Sequence, residues 1–222
     1  MTKKVVLALG CIALFASFST AAFADAITFS FLGTKGTQKV NINSTGVSLG
    51  PAVLLSISDT NTSNVFIVPG TVTISTGAAS SYLASGGVLT AQFTAGTGVD
   101  VMVLSSWCTG GTMPGVCLEG TQNANGAYVA AKNSTGSFQA LFTVNYVSPY
   151  VTSLFGDPNS WLQPGSDSFT TGHNNFVNGG STDKADLGQG GITFQTVPEP
   201  GSLALLGTGI IGLAGLIRRK LQ

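Results

Sequence analysis

The sequence predicts an all-β protein, an antiparallel β-sandwich, bracketed by two apolar ends that are not part of it. Three observations between residues 25 and 196 carry this prediction. Apolar and polar residues alternate in short runs, clusters of Gly, Asn, Ser and Asp interrupt those runs, and no stretch of ten or more residues joins helical apolar spacing to helix caps.

The chain opens with a basic start (Lys3, Lys4), an apolar stretch from Val5 to Phe18, and the small-residue site Ala22-Phe23-Ala24. This is the pattern of a secretory signal peptide spanning residues 1–24, read by the Sec export machinery, with cleavage between Ala24 and Asp25. Cys11 raises a lipoprotein alternative, but Ala8-Leu9-Gly10 fits a lipobox poorly and the apolar stretch runs on past it.

Strands follow. Ile27 to Phe31, Thr71 to Ser75 and Gly191 to Gln195 alternate apolar with polar residues, and Phe138 to Tyr146 places its even positions on one apolar face. Val88 to Phe93 puts Leu89, Ala91 and Phe93 together. Ala52 to Ile57, Val65 to Val68 and Val99 to Leu104 are apolar on both sides and read as central strands. Turn signals separate them at 44–46, 58–61, 69–70, 85–87, 95–98 and 133–136. About nine to eleven strands are expected, with jelly-roll and immunoglobulin-like topologies both open. The least regular part, Trp161 to Gly190, reads as a long loop or irregular edge. Ile-Thr-Phe occurs at 27–29 and again at 192–194, which suggests that first and last strands pair.

The body, residues 25–196, carries four lysines (Lys35, Lys39, Lys132, Lys184) against eight acidic residues, a balance near −4, so the zero net charge of the whole chain comes from its ends. Nucleic acid is a poor partner for such a surface, because duplex binding relies on clustered Lys and Arg. Thr, Ser, Asn and Gly supply the solubility, a composition suited to a wall or matrix protein.

Cys108 and Cys117 bracket Thr-Gly-Gly-Thr-Met-Pro-Gly-Val, and two cysteines so close in an exported chain point to a disulfide. His173, the sole histidine, has no nucleophile context around it and reads as an exposed loop residue. No catalytic residue, metal site or cofactor is assigned. Asp157, Asp167, Asp183 and Asp186 lie among Gly, Asn and Ser, as calcium ligands often do, but neither the EF-hand order nor the calcium-binding nonapeptide is present, and turn formation explains them better. The same holds for the three Asn-x-Ser/Thr triplets at Asn43, Asn61 and Asn133.

The other end is tripartite: Val197-Pro198-Glu199-Pro200, then Gly201 to Ile217 with no charge in seventeen residues, then Arg218, Arg219 and Lys220. As a helix the apolar run spans about 26 Å, at the lower limit for a hydrocarbon core of roughly 30 Å. The basic cluster would stay cytoplasmic and orient the helix. Pro198 and Pro200 keep the motif extended and accessible. A plain tail anchor is the alternative. Together the three parts resemble the PEP-CTERM sorting signal of Gram-negative bacteria, over residues 197–222. The resemblance implies recognition by an exosortase, a membrane-embedded cysteine transpeptidase, cleavage near the motif, and release or attachment at the cell surface, among proteins associated with exopolysaccharide and biofilm matrix.

The expected function is therefore that of a non-enzymatic surface or matrix protein, a membrane-held precursor until its tail is processed. A carbohydrate-binding module is the alternative, with Tyr146, Tyr150, Phe155 and Trp161 as stacking rings. A secreted hydrolase, using His173 or an aspartate, ranks third.

Overall fold

The computed structural model describes residues 26–33, 38–59, 64–155 and 164–195. The predicted signal peptide and the sorting tail lie outside the described residues, as do Asp157 and Trp161. Among the described residues, no helix is long and apolar enough to cross a membrane.

These residues form thirteen strands and one short helix. The strands are β1 (Ala26–Leu32), β2 (Lys39–Asn43), β3 (Gly46–Asp59), β4 (Val65–Phe66), β5 (Gly70–Ser75), β6 (Ala79–Ser85), β7 (Val88–Phe93), β8 (Val101–Ser105), β9 (Val116–Gln122), β10 (Gly126–Ala131), β11 (Gly136–Val147), β12 (Gly165–Gly172) and β13 (Thr182–Gln195). Helix α1 (Pro149–Phe155) lies between β11 and β12.

Every pairing is antiparallel. Followed from neighbour to neighbour, β1, β3, β5, β8, β9, β11, β12 and β13 return to β1, an eight-strand closed circuit. The all-β antiparallel prediction holds, but the sheet is barrel-like rather than two separate sheets. Strand length and bulges explain the closure. β3 and β13 each run fourteen residues, and both pair with β2 along their inner-sequence ends and with β1 along the rest. β11 gives its first half to β10 and its second to β9. Register shifts at Leu49/Ala52, Val144/Tyr146 and Phe169/Thr171 supply local bends, as bulges do, so one strand can change neighbours while the circuit curves shut. From β11, strands β10, β7 and β6 continue outside the circuit as a three-strand extension.

Alternation sorts inside from outside. Along β11, Phe138, Ala140, Phe142 and Val144 are buried while Gln139, Leu141, Thr143 and Asn145 face out. Phe138 stacks on Phe169 at 4.8 Å and approaches Phe93 at 6.3 Å, and Phe29 meets Phe194 at 5.9 Å, so aromatic rings fill much of the interior. The echoed Ile-Thr-Phe segments do pair: Ile27 opposes Phe194, Thr28 opposes Thr193 and Phe29 opposes Ile192, with the two threonine hydroxyls 2.9 Å apart.

The segment read as irregular, Trp161 to Gly190, is where prediction and structure part. It contains β12 and most of β13. Its inward positions are Gly165, Asp167, Phe169 and Thr171, then Asp183, Ala185 and Leu187, so small and polar residues occupy places where apolar ones would have signalled a strand. β9 was hidden for the opposite reason, being buried on both faces with no alternation to detect.

Antiparallel closure gives the circuit two poles. At one, here the terminal pole, β1 begins and β13 ends, with Ala26 opposite Gln195. The β3–β5, β8–β9 and β11–β12 connections turn there as well. The distal pole holds the β2–β3, β6–β7 and β10–β11 turns and the β12–β13 connection.

Candidate functional site

The sorting segment begins where the fold stops. β13 is hydrogen-bonded to β1 as far as Gln195, which leaves one residue, Thr196, before Val197. Val197, Pro198, Glu199 and Pro200, and the basic Arg218, Arg219 and Lys220, lie outside the described residues. So do Ala24 and Asp25 at the predicted leader junction. Because Ala26 and Gln195 are register partners, the two predicted processing points leave from adjacent strands at one pole.

That pole is built around a disulfide. Cys108, in the loop between β8 and β9, is bonded to Cys117 on β9, with Cα atoms 5.1 Å apart. The loop needs its glycines: Gly110, Gly111 and Gly115 have φ of 94°, 77° and 87°, a region that L side chains rarely adopt. The Glu119 carboxylate, buried on β9, accepts from the Thr112 amide at 2.7 Å and from its hydroxyl, holding the loop tip. The Ser148 amide donates to the Cys117 carbonyl at 2.9 Å, and the Thr109 amide to Ser148 Oγ at 3.2 Å, which ties α1 to the same loop.

The described aromatic side chains considered for sugar stacking lie at this pole. Tyr150 meets Trp107 edge to face at 5.9 Å, Phe155 meets Phe66 at 5.5 Å, and the Tyr146 hydroxyl donates to the Thr109 carbonyl. Tyr146 is half-buried on β11, Tyr150 and Phe155 are half-buried on α1, and Trp161 is outside the described residues.

His173 meets one of the candidate aspartates, Asp186, while Asp167 and Asp183 lie in environments of their own. His173 follows β12 with φ 51°, largely exposed, its Nδ1 3.1 Å from Asp186 Oδ2. The Lys39 ammonium pairs with the other Asp186 oxygen and, with His173, holds that carboxyl below the usual aspartate range. The shallow cavity beside this trio is lined by Leu32, Val53, Leu55, Leu187 and glycines, with no hydroxyl or thiol side chain. Asp183 is buried at the start of β13. Its Oδ1 accepts from the Asn175 amide at 2.8 Å, while Oδ2 lies 3.4 Å from the Tyr128 hydroxyl. That hydroxyl also meets Thr171 Oγ1 at 2.9 Å and Asn174 Oδ1, a closed polar network that periodicity could not have announced. Burial raises the Asp183 carboxyl and the Tyr128 phenol, and lifts the Tyr82 phenol to about 12.

Asp167 points inward from β12. Gln122 Nε2 donates to its Oδ2 at 2.8 Å, while its Oδ1 and the Gln122 Oε1 are buried without a hydrogen-bond partner. Desolvation pushes its carboxyl up to about 7. Among the described residues, no three His, Cys, Asp or Glu side chains gather closely enough to hold a metal ion.

Across the outer wall of β1, β13, β12 and β11 runs an uncharged groove of about 450 Å³, lined by Ser30, Ser137, Gln139, Ser168, Thr170 and Gln189 beside Leu32 and Leu55. Gly190 and Gly191 form part of its floor.

Residues 196–220 match the family model of the PEP-CTERM protein-sorting motif. No curated protein matches the chain.

Proposed function

We propose that this chain is a non-enzymatic surface or matrix protein whose β-barrel body is exported and then delivered by exosortase processing of its tail. The observation that carries the reading is the PEP-CTERM match over residues 196–220, a motif that implies export to the envelope of a Gram-negative cell and processing by an exosortase. Its position supports the assignment of roles: Val197 to Pro200 is the substrate segment, Gly201 to Ile217 the membrane hold, and Arg218 to Lys220 the orientation signal. The disulfide between Cys108 and Cys117 suits an oxidising compartment outside the cytosol. Dispersal of His173, Asp167 and Asp183 into separate environments favours a binding or structural role over acid–base chemistry.

The deciding experiment compares a parent strain with one lacking its exosortase. The precursor accumulates in the inner membrane of the deletion strain, while the parent releases protein that begins at Asp25 and has lost the residues after the motif. Intact mass and terminal sequences read both cuts. Equal surface release from the two strains refutes the processing claim.

One observation favours a second reading, a site for neutral glycans. The outer-wall groove presents hydroxyl and amide groups without a charged side chain, a chemistry that complements polyols. Retention on an uncharged polysaccharide column, lost in a Gln139→Ala, Gln189→Ala chain, would support it. Equal retention of that variant would discard the groove.

A further inference from the structure

We propose that the terminal pole is a membrane-resting surface that lies against the lipid interface holding the precursor's own tail. This rests on the reading of Gly201 to Ile217 as a membrane hold.

Three independent features of the fold converge on it. First, the covalent geometry: Ala26 and Gln195 are partners at this pole, and only residues 196–200 separate the end of β13 from the apolar run. Five extended residues reach at most roughly 18 Å, so a tail in the bilayer keeps this end of the body close to the headgroups.

Second, the charges of the described residues are sorted. Lys39, Lys132 and Lys184 lie toward the distal pole, as do Asp183 and Asp186. At the terminal pole the described ionisable carboxylates are Asp59 and Glu119, and both are buried. Among the described residues this end therefore offers no exposed charge that would be desolvated against lipid.

Third, four exposed apolar side chains gather on the connections of this pole, whereas the distal connections carry one among the described residues, Val177 after β12. Val65 is 62% exposed, Ile67 79%, Trp107 47% and Met113 44%. The distal turns read Asn43-Ser44-Thr45, Ser85-Gly86-Gly87 and Asn133-Ser134-Thr135. An outward apolar residue on a strand is ordinary, whereas Ile67 and Met113 in loops have no partner strand to cover them. Trp107 and Tyr150, in edge-to-face contact, give this surface the amphipathic aromatics that favour the headgroup level, while Phe66 and Phe155 join β4 to α1. Disulfide and glycine geometry hold the loop rigid, so its residues need little ordering on contact.

The test uses the full chain carrying Trp161→Phe, which leaves Trp107 as its sole tryptophan. It is reconstituted in vesicles of phosphatidylethanolamine and phosphatidylglycerol, with plain or brominated acyl chains. The chain floats with both, and Trp107 emission shifts to the blue in plain vesicles and is lost in brominated ones. Replacing Ile67→Asp and Met113→Asp, both exposed, keeps flotation through the tail but restores the Trp107 emission, which separates surface contact from mere tethering. Retention of the Cys108–Cys117 bond checks that the variant is folded. A chain that floats while its Trp107 emission is equal in the two vesicles overturns the proposal and leaves the surface to a protein partner. Failure to float overturns the tail reading and this proposal with it.

Discussion

Asp167 is an acidic side chain placed among the inward residues of β12, with Gln122 as its one side-chain partner and its second oxygen left without any. Desolvation dominates, so the folded-state value of about 7 stands above an unfolded value near 3.8. The folded protein then binds the extra proton, and the sign follows: stability from this group is complete below about pH 4, falls as pH rises to about 7, and is level above that. That displacement corresponds to on the order of 4 kcal/mol. Asp167→Asn is expected to flatten that decline, because the amide keeps the acceptor for Gln122 and carries no charge to desolvate. Urea unfolding of both chains at pH 4, 6 and 8 checks it, and a variant no more stable than the parent at pH 8 would contradict the assignment. The disulfide makes a simpler residue-scale case. Cys108 and Cys117 are nine positions apart, a short loop whose closure removes about 2–3 kcal/mol of unfolded-state freedom. Reduction, or Cys117→Ser, should lower unfolding stability by that order in a denaturant titration.

At the scale of strands, glycines decide where aromatic rings can lie. A Cβ on Gly190 would sit 2.3 Å from the Phe31 ring and 2.6 Å from the Ser168 carbonyl. One on Gly120 would meet the Phe142 ring at 2.3 Å, and one on Gly165 the same ring at 2.4 Å. Each ring fills space that a neighbouring strand leaves open. Gly120→Val and Gly190→Val should therefore each destabilise by about 1–3 kcal/mol, the usual cost of overpacking, whereas Gly50→Ala, with nothing within 4 Å, should be close to neutral. Thermal melts of the three variants distinguish these outcomes. The same glycines explain what could be read from the chain alone. β1, β5, β7 and β11 were legible because their buried faces are Ile, Val, Leu and Phe at alternate positions. β12 and the first part of β13 were not, since Gly165, Asp167, Thr171 and Asp183 occupy inward positions and Phe31 or Phe142 supplies the apolar volume from the next strand, whereas Gly191 to Gln195 at the end of β13 alternates and was read. The Tyr128–Asn174–Asp183 network and the Asp167–Gln122 pair depend on contacts across more than forty residues, which no local pattern encodes. The disulfide and the sorting motif were readable because both depend on short spacings.

For the molecule as a whole, the order of synthesis and the order of closure are linked. β1 is the first strand of the body to emerge, yet it pairs along its full length with β13, the last, and opposite ends of the body meet at Ala26 and Gln195. Closure across so long a separation must await nearly the entire chain, and sheets built from distant pairings form slowly, in milliseconds to seconds. In an exported protein the circuit can therefore close only when β13 has crossed, which is when the apolar tail behind it reaches the membrane. Until then β1 and β12 present open edges, a hazard for mispairing. β13 is accordingly the strand whose loss should matter most. A chain ended after Ser181 lacks the partner of β1, β2 and β12 and should be cleaved rapidly by a broad-specificity protease, without a cooperative thermal transition. A chain ended after Thr196 keeps the complete circuit and should resist the same digestion while losing membrane retention. If the shorter chain proved as resistant as the longer, pairing with β13 would not be what closes the barrel, and the coupling between closure and arrival of the tail would have to be abandoned.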